Sequence, residues 1–174
     1  MKSPSREECL EWYKEYGTPD NIIEHVKTVN RLANFLAKEL KDKGITIDLE
    51  MVDKASLLHD LDKWLCINDK SVDHGFETER ILAKKGYPKI GFYARQHRAD
   101  LILEELKSWE EKVISYADKR CNGEVVVTLK GRFDYINEKY PAKDKEKRNK
   151  EIRLFYELEK EIFDIIGMDP EDLR

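Results

Sequence analysis

The stretch PDNIIEHVKTVNRLANFLAKELKDK, from Pro19 to Lys43, decides how the chain is read. Ile22, Val26, Val29, Ala33, Leu36 and Leu40 recur at alternating steps of four and three, which is one apolar stripe on a helix. Thr18 stands where a cap would, Pro19 suits a first turn, and Gly44 can close the helix. His25 adjoins the stripe one turn before Val29, so its imidazole is expected to face the interior.

The same period continues outward on both sides. Ser5 to Tyr16 reads as a short leading helix. Asp48 opens a helix running through Val52, Ala55 and Leu58 into His59-Asp60. Asp73-His74 begins a third that ends at Lys85-Gly86, and Pro88 begins a fourth that carries His97 near its end. Trp109 to Cys121 forms a fifth, with Asp118 in its second half and Asn122-Gly123 as its stop. Val125-Val126-Val127 is β-prone but short, and is expected to be a connector. Arg132 to Tyr140 and Asp144 to Ile166 close the chain, the last presenting Ile152, Phe155, Leu158, Ile162 and Ile165 on one face. The fold class is all-α, a compact helical bundle in one domain spanning 1–174.

Composition agrees and excludes several classes. Eight glycines and five prolines in 174 residues are too few for many short strands joined by tight turns. Charged residues make up 39%, with acids and bases interspersed and a net charge of -4. That is no basic footprint for a nucleic-acid duplex, and the run Lys143 to Lys150, broken by Asp144 and Glu146, reads as a solvated helix start. No apolar stretch approaches a membrane span, and no secretory signal is apparent at Met1 to Ser5. Cys9, Cys66 and Cys121 are scattered and odd in number, as expected of reduced thiols in a cytoplasmic protein.

Only four histidines occur, at His25, His59, His74 and His97, each on or beside a different expected helix. His59 is followed by Asp60, and Asp118 lies among the apolar residues Val113, Ile114, Tyr116 and Ala117. A buried unpaired carboxylate is costly, and a cation offsets that cost. Imidazole with carboxylate suits borderline divalent metals. With His25, the doublet within SLLHDLDK (56–63) and Asp118 within SYADK (115–119), the sequence resembles the HD-domain superfamily of metal-dependent phosphohydrolases. The resemblance covers about residues 21–120, with 1–20 and 121–174 as flanking helices packed on that core.

The resemblance implies that His25, His59, Asp60 and Asp118 bind one divalent ion. It also matches the subgroup with two more histidines, which implies a second ion at His74 and His97 with Asp60 bridging. The implied activity is cleavage of a phosphoester or phosphoanhydride bond of a nucleotide or small phosphate compound by a metal-activated water. The likeness is nearest to bacterial hydrolases that split dinucleoside tetraphosphates symmetrically, without assigning that substrate. Lys63, one turn after Asp60, is a candidate catalytic residue that neutralises a phosphate oxygen, or else a helix-end lysine. Arg98, Lys119 and Arg120 neighbour the implied ligands and are candidate substrate-binding residues. Asp62 is left open between proton donor and supporting acid. The donor set suits Mn, Fe, Co, Ni or Zn, and Mg also fits. The competing reading is a metal-binding regulatory or ligand-sensing module without turnover. Phe92 and Tyr93 are the candidates for a homodimer contact.

Overall fold

The apolar stripe of residues 22–40 is the axis of the molecule. In the computed structural model, which describes residues 3–104 and 106–173, it lies on helix α2 (Asp20–Asp42). Val26, Val29, Ala33, Leu36, Ala37 and Leu40 are fully inaccessible there. Helices α3 (Leu49–Leu58) and α7 (Trp109–Lys119) pack against this face. Truncating one such leucine to alanine costs about 2–5 kcal/mol, so apolar burial holds the frame and the polar centre rides on it.

Several helix starts are capped by side chains. Ser5 caps α1 (Arg6–Glu15) in a reciprocal box with Glu8, Asp48 caps α3 through Met51 N–H, and Ser108 caps α7 through Glu111 N–H. The Tyr13 hydroxyl donates to the Leu57 carbonyl at 2.9 Å and ties α1 to α3. Asn30 on α2 donates to the Asp53 carbonyl at 2.8 Å and the Ser56 hydroxyl at 2.9 Å, which fixes α2 against α3.

After α3 the chain turns through residues 59–62 into the short helix α4 (Lys63–Asn68), an element the sequence reading passed over. Helices α5 (Phe76–Lys84) and α6 (Pro88–Arg95) form a tightly packed pair, and α6 also packs on α3. Gly91 makes that closeness possible, because a Cβ there would lie 2.9 Å from the Glu79 carbonyl oxygen. A 3₁₀ segment, Ala99–Glu104, leads to α7 and packs against α9 (Lys145–Ile166). Helix α8 (Leu129–Lys139) precedes α9, and a final 3₁₀ turn spans Pro170–Asp172.

Two local expectations are corrected. Thr18 does not cap α2: Pro19 takes the N-cap position in extended backbone, and the Thr18 hydroxyl is buried without a hydrogen-bond partner. Pro19 itself is extended, at φ -69° and ψ 153°, so the first helical residue is Asp20 and Thr18 lies one position too early to cap. The valine connector is half of an antiparallel ladder, β1 (Cys121–Asn122) with β2 (Val125–Val126). Gly123, at φ +59°, supplies the left-handed backbone that the tight turn requires. Among the described residues no helix is long and apolar enough to cross a membrane.

Candidate metal centre

Among the described residues six side chains from five places in the fold converge on one point. His25 comes from the second turn of α2, and His59 and Asp60 from the turn closing α3. His74 precedes α5, His97 follows α6, and Asp118 sits in the last turn of α7. Five of the six are at most 9% exposed, and His74, at the cavity mouth, is the half-buried one.

Asp60 organises the set. Its Oδ2 lies 3.8 Å from His59 Nε2 and 4.0 Å from His25 Nε2, and Asp118 Oδ1 lies 3.2 Å from His25 Nε2 and 3.7 Å from His59 Nε2. Its other oxygen, Oδ1, lies 3.3 Å from His74 Nε2 and 3.4 Å from His97 Nε2. Most of these separations are too long for good hydrogen bonds. Donors about 2.1 Å from a shared cation stand roughly 3.0–3.4 Å apart, so the spacing is close to that of ligand edges.

All four imidazoles are held by Nδ1, which leaves Nε2 aimed inward. His59 Nδ1 donates to the Ser56 carbonyl at 2.7 Å and His97 Nδ1 to the Ala94 carbonyl at 2.8 Å. His25 Nδ1 is 3.2 Å from the Gly123 carbonyl, so the hairpin turn orients the first histidine. His74 Nδ1 pairs with Asp62 Oδ1 at 2.7 Å. Such partners fix the tautomer and raise ligand basicity. His59 Nε2 and Asp60 Oδ1 are buried with no hydrogen-bond partner, an omission that a bound cation would correct. The residues therefore fit a divalent metal centre.

The electrostatics point the same way. Burial opposes charge on Asp60, but Lys63, His59 and His74 outweigh it and hold its carboxyl well below the usual range. Asp118 is likewise held well down, against burial, by Lys119 and His25. Burial, reinforced by the His74 and His59 rings, pushes His97 well down and keeps it neutral. His74 is the exception: burial is overcome by the carboxylates of Asp60 and Asp62 that face it, which push it up to about 11. A cation arriving at His74 must displace a proton, so affinity on that side falls as pH drops.

Asp62 resolves into a supporting role. Its Oδ1 orients His74, and its Oδ2 accepts from Gly75 N–H at 2.6 Å and Thr78 N–H at 3.0 Å. The carboxylate thus caps the start of α5 while aiming a histidine. Gly75 is required beside it, because its φ is +83° and a Cβ would lie 2.9 Å from the Arg98 side chain. Cys66 stands within ligand reach of Asp62 and His74, a grouping whose Asp62 oxygens are already engaged.

The four candidate cations separate. Lys63 Nζ lies 3.6 Å from Asp60 Oδ1 and borders the cavity over the centre. Lys119 is buried, donating to Asp118 Oδ2 and, at 2.8 Å, to the His97 carbonyl. Arg98 pairs with Asp73 at 2.7 Å and Asp100 at 3.1 Å and donates to the His74 carbonyl, so it braces the loop carrying His74. Arg120 does not reach the centre. It is 1% exposed and pairs with Glu159 at 3.0 Å, the Val127 carbonyl and the Pro170 carbonyl. Two residues beyond Asp118 on a helix is about 200° around the axis, which sends it to the far side.

A cavity of about 580 Å³ opens over the centre, bordered by His74, His97 and Asp118 and by side chains of α8 and the start of α9. Arg132, Tyr140, Lys143 and Lys147 line it, residues the sequence reading did not connect with the histidines. The basic run at 143–150 was the one signal of them, and its direction is set by the α8–α9 turn.

Comparison with known proteins places this geometry. A protein of Picrophilus torridus described as a tRNA (cytidine(56)-2'-O)-methyltransferase is 26% identical over 98% of this chain and 50% of its own length. One of the same description from Thermoplasma volcanium is 24% identical over 78% of this chain and 42% of its own. An uncharacterized protein of Methanocaldococcus jannaschii is 28% identical over 60% of this chain and 68% of its own. The chain thus spans about half the length of the Picrophilus relative. No solved structure matches. The HD domain family matches residues 22–148, a stretch that holds all six converging side chains and runs through α8 into α9, and the chain belongs to that family.

Proposed function

We propose that the protein is a two-cation phosphohydrolase that cleaves a phosphoester or phosphoanhydride bond of a nucleotide or a related small phosphate compound. The observation that carries this reading is the division of Asp60, whose Oδ2 faces His25 and His59 while Oδ1 faces His74 and His97. One carboxylate between two pairs of inward imidazoles suits a bridging ligand, with Asp118 completing the first group. Bound cations at such a centre supply Lewis acidity and an activated water.

The chain's own residues do the rest. Lys63, partly exposed beside Asp60, places an ammonium where a non-bridging phosphate oxygen would lie. Lys119 holds the second oxygen of Asp118, so that carboxylate presents Oδ1 to the centre. Tyr140, 61% exposed, and Ile136 border the same cavity and offer a face on which a nucleoside can stack. Mn, Fe, Co, Ni or Zn suit the donors, with availability selecting among them.

A second reading, a metal-binding HD module without turnover that serves an RNA-modifying protein, draws on the two relatives described as tRNA methyltransferases. One experiment separates the two. Protein purified without chelators is analysed for metal per chain and assayed for phosphate release from a nucleotide panel, beside Asp60→Ala. About two ions and turnover lost in the variant support the hydrolase. Metal without turnover, after Mn or Fe is added, favours the module.

A further inference from the structure

Among the described residues seven cationic side chains border the cavity, and four already have partners there. Lys63 faces Asp60, Lys119 is held by Asp118, Arg98 by Asp73 and Asp100, and Arg148 by Glu151 at 3.2 Å. The cavity's acids are correspondingly engaged. Asp73, Asp100, Asp118 and Glu151 are the partners just named, and Asp144 spends Oδ1 capping α9 through Lys147 N–H at 2.9 Å. Three cations are left over: Arg132, Lys143 and Lys147.

Among the described residues none of the three makes a close ion pair with a carboxylate, and Lys147 is near enough to Asp100, which Arg98 already pairs, only to help lower its pKa. Arg132 donates from Nη1 to the Asn122 amide oxygen at 2.9 Å, a neutral partner, and its Nε is buried with none. The Asn122 bond ties it to the hairpin whose Gly123 carbonyl orients His25, so it is held in place beside the centre. Lys143 and Lys147 are exposed and stand at the α8–α9 turn and the first turn of α9. Against these three stands Asp144, the one carboxylate of the described lining without an ion pair, so the wall keeps a positive excess that a bound anion would offset.

We propose that Arg132, Lys143 and Lys147 form an anion subsite that seats a second phosphate group of the substrate, beyond the one presented to the histidine centre. This rests on the phosphohydrolase reading for the first phosphate, while the subsite stands on its own charge arrangement. Either a polyphosphate chain or the next phosphodiester of an oligonucleotide supplies the same chemistry. The two differ in the spacing between phosphates.

Non-hydrolysable diphosphonates read both presence and spacing. Inorganic phosphate, methylene diphosphonate and its propylene-bridged homologue are titrated calorimetrically into the metal-loaded protein and into Lys143→Ala/Lys147→Ala. Both lysines are exposed, so the double variant keeps the fold. At least one diphosphonate is expected to bind about tenfold tighter than phosphate, and the variant to lose that advantage while its phosphate affinity changes less than about twofold. Preference for the methylene compound identifies a polyphosphate chain, and preference for the propylene compound identifies successive diesters. Equal affinity for all three, or a preference that survives the double variant, overturns the subsite. If phosphate alone fails to bind, the hydrolase reading fails, and lysine-dependent diphosphonate binding still upholds the subsite.

Discussion

At the scale of single residues, aim matters as much as identity. The four histidines were legible because imidazoles are rare in this chain and each falls on or beside its own helix. Their orientation was not, because each Nδ1 partner is a backbone carbonyl or a carboxylate placed by tertiary folding. Asp62 shows the limit well. Its neighbourhood in sequence is shared with Asp60, yet its partners lie 12 to 16 residues away at the start of α5. Replacing Asp62 with Ala removes the acceptor for His74 and for two backbone N–H groups. We expect a ten- to hundredfold loss of affinity on the His74–His97 side and about 1–3 kcal/mol of stability. Metal content per chain read together with urea unfolding checks this: a drop from two ions towards one fits, and unchanged occupancy contradicts it.

At the scale of elements, the long helices were readable and their junctions were not. The stripe of α2 follows from period alone, since α2 buries Val26, Val29, Leu36 and Leu40 as that period requires. On α9 Phe155, Leu158 and Ile162 are buried as expected, whereas Ile152 and Ile165 are half-buried and Phe163 and Ile166 take the inner positions. Thr18, the β1–β2 ladder and α4 were missed because each depends on a backbone turn that local propensity only weakly favours. Arg120 misled for a related reason, since proximity in sequence is not proximity around a helix. The pairing of α5 and α6 yields a test. Gly91→Ala places a Cβ against the Glu79 backbone, which cannot retreat as a side chain would. Such overpacking costs about 1–3 kcal/mol. Because His74 and His97 flank these helices, the variant is expected to lower the unfolding midpoint and, on the two-cation reading, to weaken one of two metal-binding steps. A calorimetric metal titration in which both steps shift equally would count against that assignment.

At the scale of the whole molecule, the centre is a cross-link. Its six side chains span residues 25 to 118, so a cation held by them joins α2, the α3–α4 turn, the α5–α6 pair and α7. Ligand that binds only the folded state stabilises by RT ln(1 + [L]/Kd), about 4 kcal/mol at a thousandfold excess over Kd. Chelation is therefore expected to lower the melting temperature by several degrees, and Mn or Zn to restore it. Scanning calorimetry with and without chelator measures the change. Identical melting curves would mean that the six groups hold no ion under those conditions.

The six converging side chains and one wall of the cavity above them occupy different lengths of chain. Everything that converges on Asp60 lies before residue 119, whereas Arg132, Tyr140, Lys143 and Lys147 arrive afterwards, on α8, the α8–α9 turn and α9. On the phosphohydrolase reading proposed above, substitutions at Lys143 and Lys147 would change what the cavity admits without touching the six converging side chains.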